Sequence, residues 1–154
     1  MQRSTTGTTT PKYRDLVTWA RSHGATIPST LLFLSEPYGH CRTTIPLPAG
    51  TELFHIPHSL IITPSVATTA LPQLKDSSVH ERLCAFLAIE RRKEGFWKEY
   101  LRSLPRWVRT PAYFGEGALE TFKGTNLAFA WKDKVKVWEE EFKHAKELVL
   151  GLEW

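Results

Sequence analysis

Cysteine is scarce in this sequence. Cys41 and Cys84 are the only two in 154 residues, far apart and outside any CxxC spacing. A disulfide framework is therefore not expected, and a reducing, intracellular compartment is, cytoplasmic or nuclear. No apolar run approaches the ~18 residues that would cross a bilayer, so no membrane partner is expected. The first ten residues are polar and Thr-rich and lack the apolar stretch of a secretory leader. No nucleophile elbow or cysteine-protease string occurs, and no phosphate-cradling glycine pattern follows a strand. Asparagine occurs once, at Asn126, and no tyrosine follows Tyr113.

What is present is the make-up of an ordinary globular domain. Hydrophobic residues account for 42% and charged residues for 23%, with 6 Trp and 8 Phe. That is enough apolar mass for one real core. The net charge of +4 is mild and spread along the chain, mostly beside acids. Arg91, Arg92, Lys93, Arg102, Arg106 and Arg109 interleave with Phe96, Trp97, Tyr100 and Trp107. Such a mixture suits single-stranded nucleic acid. It suits equally a helix with its aromatics inside and its charges outside. The second reading is preferred, and no nucleic-acid partner is expected.

Residues 1–11 are Ser/Thr/Gly-rich up to Pro11 and read as a disordered tail. Tyr13, Leu16, Val17 and Ala20 recur at helical spacing, and His23-Gly24 marks the end of that helix. From Leu31 to Thr63 the pattern changes to short apolar runs with Pro and Gly corners. Leu31–Leu34, Cys41–Ile45, Thr51–Pro57 and Leu60–Thr63 are predicted as three or four short strands. Leu83, Phe86, Leu87 and Glu90 predict an amphipathic helix with a basic last turn, broken at Gly95. Phe96, Trp97, Tyr100, Leu101 and Leu104 continue on a new helical face. Glu116–Phe122 predicts a short helix closed at Gly124. Trp131, Val135, Trp138, Phe142 and Ala145 predict an amphipathic helix of about four turns. The fold class is α+β.

Histidine pairs raise the question of a metal. His55 and His58 form H-x-x-H, with His40 and Cys41 upstream, but zinc needs converging ligands. Residues three apart in a strand point to opposite faces, so surface histidines are expected and no metal site. His80 beside Glu81 has no partner that the sequence names.

Several strings, in order, carry a resemblance. They are Trp19-Ala20 with His23-Gly24-Ala25; Pro48-Ala49-Gly50-Thr51-Glu52-Leu53 with Ile56-Pro57-His58-Ser59-Leu60; and Ile62-Thr63-Pro64 with Ala67. Leu87 to Arg92, Phe96 to Leu101, Leu104-Pro105, Thr110-Pro111 with Tyr113-Phe114, and Gly124 to Leu127 follow. Together these resemble the front of SET-domain protein-lysine methyltransferases of the Rubisco-lysine-methyltransferase-like group. The resemblance implies methyl transfer from S-adenosylmethionine to a lysine of a protein substrate. It implies cofactor contacts at Glu36, Pro37 and Tyr38, in a stretch where the group has Glu-Gly-x-Gly. Glu36, Tyr38 and Gly39 fit, whereas Pro37 stands in place of a glycine and has neither an N–H nor a free φ.

The resemblance also implies an Asn-His pair and a later catalytic tyrosine. Neither occurs in this sequence, so no catalytic residue is assigned. The expected organisation is a tail at 1–11, the N-terminal part of a SET domain at 12–127, and the truncated start of a helical insertion at 128–154. On this reading the chain is a fragment, inactive alone, with an apolar helix face that lacks its cover. The alternative is a noncatalytic interaction module derived from a SET domain.

Overall fold

The structure is a computed structural model that describes residues 8–34, 39–106, 108, 110–111 and 114–149. They fall into two compact units, Met1–Ile62 with Phe96–Ser103, and Thr63–Gly95 with Leu104–Trp154.

The first unit begins with α1, Pro11–Ser22. Pro11 opens it, where a missing N–H does no harm. The helix closes as the sequence predicts. Gly24 takes φ +93°, its amide donates to Arg21, and the Ala25 amide donates to Ala20 at 3.0 Å. This paired closure satisfies carbonyls that the helix leaves open, and both Ala20 and Ala25 are buried. Residues just before α1 are tied down rather than loose. The Thr10 amide donates to the Phe33 carbonyl at 2.9 Å, and the Phe33 amide donates to Thr9 Oγ1. The sequence showed only a polar tail here, because the partner lies on a strand more than twenty residues away.

β1 (Leu31–Leu34) pairs antiparallel with β2 (His40–Thr43), with Leu31 opposite Thr43 and Phe33 opposite Cys41. The later predicted strands do not form. Thr51–Pro57 is irregular apart from one bridge between His55 and Thr26, and His58–Leu60 is a 3-10 turn. β-propensity acts only where a neighbouring strand supplies a ladder and a cover. Here Leu53, Phe54, Ile56 and Ile61 remain exposed. α4, Lys98–Ser103, completes this unit. Trp97 and Leu101 are buried, and Phe96 meets both Trp19 and Trp97 edge-on at 5.4 and 4.9 Å. Part of the basic, aromatic middle of the sequence is thus core. Trp107, Arg109 and Tyr113 lie outside the described residues.

The second unit is helical. α2, Pro64–Ala70, is capped by Thr63, whose hydroxyl accepts from the Val66 amide. A 3-10 turn, Pro72–Leu74, leads to α3, Val79–Lys93. α3 buries Glu81, Ala85, Phe86 and Ile89. Of the predicted face Phe86 is buried, whereas Leu83, Leu87 and Glu90 are only partly covered, and Ala85 and Ile89 make up the rest of the inward side. Its last residue before Gly95, Glu94, carries the positive φ of +49°. α5 is Glu116–Glu120. α6 runs Asn126–Leu148, 23 residues, or about six turns where four were predicted. Ala67, Leu74, Phe86, Ile89, Ala145 and Val149 form the core of this unit.

Candidate functional site

Two places bear on function, one in each unit. The first is the stretch that the resemblance assigns to a cofactor. Glu36, Pro37 and Tyr38 lie outside the described residues. Gly39, which follows them, has φ +73°, and a Cβ there would stand 3.3 Å from the Tyr13 hydroxyl. A glycine in that conformation suits a backbone brought close to a neighbour or ligand. It fits the glycine-bearing stretch of the group, whereas Pro37 supplies no amide.

The second place is a cleft of about 400 Å³ between α3 and α6. His80, Cys84 and Ala88 form one stripe of α3 at four-residue intervals, and Trp138, Glu141, Phe142 and Ala145 form the facing stripe of α6. Ser78 ties the start of α3 to Glu141. As the N-cap of α3 it accepts from the Glu81 amide at 3.0 Å, and its hydroxyl donates to Glu141 Oε1 at 2.8 Å. His80 Nδ1 donates to the other carboxylate oxygen at 2.7 Å. With that nitrogen as donor, Nε2 of the neutral ring is the acceptor, and it lies 3.6 Å from Cys84 Sγ. The His80 ring lies nearly parallel to Trp138, 14° between planes and 6.4 Å between centroids.

A second bond runs the other way. Buried Glu81 on α3 accepts from His144 on α6 at 2.6 Å. A buried carboxylate without a partner is strongly unfavourable, so this contact helps to fix the pairing of the two helices. Burial works against the charge of Glu141. The hydrogen bonds from Ser78 and His80, and the charges of Lys134 and of His80 when it is protonated, outweigh it and hold the carboxyl below its ordinary range. Burial, and then the Glu141 charge, push the Cys84 thiol up.

The partner that His80 lacked in the sequence is therefore Glu141, 61 residues away. Ser78-x-x-Glu81 before an apolar run is a helix-start signature, and it marks this corner of the site in the sequence alone. Its glutamate departs from the pattern by bonding His144. His55 and His58, by contrast, sit at a bridge and at the start of a 3-10 turn. Among the described residues no group of three or more His, Cys, Asp or Glu is placed to hold a metal ion. No helix among them is long and apolar enough to cross a membrane.

No protein-family model matches the chain. Over half its length, however, it is similar to a lysine methyltransferase. That relative is the ribosomal lysine N-methyltransferase set10 of Schizosaccharomyces pombe, 32% identical over 79 residues. The matched stretch is 50% of this chain and 14% of that protein.

Proposed function

We propose that this chain carries the front of a SET-type, S-adenosylmethionine-dependent protein-lysine methyltransferase of α+β fold. Glu36, Pro37 and Tyr38 then border the cofactor pocket. The similarity to a protein named as a ribosomal lysine N-methyltransferase carries the reading. The ordered strings from Trp19 to Leu127, and the conformation of Gly39, support it. The cofactor, when bound, supplies an electrophilic methyl group on a sulfonium. The protein's part is to place a neutral lysine amine in line with it. Ribosomal proteins are the first substrates to test.

In this reading the pocket needs two stretches of chain, and these 154 residues hold the earlier one. Titration of S-adenosylmethionine into the purified chain should give no saturable heat, and ribosomes incubated with it and labelled cofactor should gain no methyl groups. A polypeptide read further along the same transcript, through an Asn-His pair and a later tyrosine, should label a ribosomal-protein lysine. Failure of that longer polypeptide to label any protein would overturn the methyltransferase reading. Transfer by the 154 residues alone would overturn the two-stretch pocket.

A second reading, a noncatalytic interaction module, is favoured by Phe129 and Phe142, which stand 66% and 61% exposed on α6. It predicts that the longer polypeptide is inert as an enzyme and that α6 binds a protein.

A further inference from the structure

The cleft between α3 and α6 brings together groups that methyl transfer does not use. Cys84 Sγ faces His80 Nε2, His80 Nδ1 is held by Glu141, and Glu141 is held in turn by Ser78. Trp138 lies along the imidazole ring. A nucleophile, a base and a group that orients the base are thus aligned as nucleophilic catalysis requires. The same stripe opens on a cleft walled by Ala85, Ala88, Phe142 and Ala145.

We propose that Cys84, with His80 as its base and Glu141 as the group that positions His80, is a covalent acceptor site for apolar α,β-unsaturated ketones.

Geometry selects addition over acyl transfer. Cys84 lies in the interior of α3, where backbone N–H groups are already bonded along the helix. It therefore has no pair of free amides to stabilise a tetrahedral oxyanion. Conjugate addition needs no such pair and no leaving group. The Cys84 sulfur forms a bond to the β-carbon of the enone as the C=C π bond breaks. The thiol proton passes to His80 Nε2 and from there to the α-carbon. The product is a saturated thioether ketone, the imidazole is neutral again, and nothing is oxidised or reduced. The Trp138 indole N–H is buried without a hydrogen-bond partner among the described residues. A ketone oxygen is an acceptor of the kind it lacks. The cleft walls favour an apolar tail on the ketone.

The resting group is a thiol and not a standing thiolate, because burial and the Glu141 carboxylate raise it. Reaction therefore depends on removal of the proton by His80, and this dependence separates the site from ordinary thiol chemistry. Cys41 on β2, exposed like Cys84 and likewise pushed up by burial, has no histidine of this relay beside it and is the internal control. The full chain at neutral pH is treated with phenyl vinyl ketone or with methyl vinyl ketone, and adducts at each cysteine are followed by peptide mass spectrometry. With the phenyl compound Cys84 should react at least about tenfold faster than Cys41, within the contribution of a positioned base. His80→Gln should bring Cys84 down to the rate of Cys41 and leave Cys41 unchanged. The methyl compound should show a smaller preference for Cys84.

Glu141→Gln tests the same relay without touching the base, and should slow Cys84 by a smaller factor. It decides the matter if His80→Gln loses its helical circular-dichroism signal. Equal rates at the two cysteines, or a Cys84 rate unmoved by the informative variant, would overturn the proposal. Equal preference for the two ketones would overturn the role of the cleft.

Discussion

Gly24 shows how far one residue can be understood from the sequence. A left-handed residue is needed where α1 stops, and glycine is the residue that takes it without strain. The His23-Gly24 pair announces it. At φ +93° a Cβ would meet Pro57 Cγ at 3.5 Å, an ordinary contact. The penalty for Gly24→Ala is therefore conformational, about 1–2 kcal/mol. Urea denaturation should show that loss at an unchanged denaturant slope, and an undiminished midpoint would refute it. Glu94 shows the limit of such reading. The glycine after α3 is Gly95, yet the left-handed residue is Glu94. Sequence places a helix end well and the residue that turns there less well.

At the scale of elements, α3 and α6 were legible as helices, but their pairing was not. His80 with Glu141, and Glu81 with His144, are each more than sixty residues apart, and periodicity says nothing about which helix faces which. The two later predicted strands failed for a related reason. Thr51–Pro57 has the composition of a strand, but a strand exists only with its neighbour. The helix pairing has a measurable pH signature. Glu141 is held below its ordinary value of 4.5. A carboxyl lowered in the folded state adds stability above its unfolded pKa, and that stability is lost as pH falls through the folded one. Glu141→Ala should therefore cost about 1–2 kcal/mol at neutral pH, where two hydrogen bonds to a charged group are lost. The difference from the parent should shrink as the pH drops below 4.5, the ordinary value of the group. Paired denaturation curves at about pH 7 and about pH 3, which bracket that window, read it directly. A constant difference would mean that Glu141 contributes by packing and not by charge.

For the whole molecule, the question is what covers α6. The sequence stripe from Trp131 to Ala145 marks the helix correctly, but only Ala145 is buried along its length. Leu127, Phe129, Val137, Phe142 and Leu148 are all exposed. A helix apolar on more than one side is normally enclosed by protein, and composition cannot tell enclosure by the same chain from enclosure by another. Exposed apolar groups of this size drive association. The weight-average sedimentation coefficient should therefore rise with protein concentration. Phe129→Glu should flatten that rise, because the side chain is 66% exposed and a charge there repels a second apolar surface. The same substitution should move stability by no more than about 0.5 kcal/mol, as at other surface positions. A parent chain that sediments as a compact monomer at every concentration and melts in one cooperative step would show that α6 needs no cover. A large loss of stability in Phe129→Glu would show instead that Phe129 belongs to the fold.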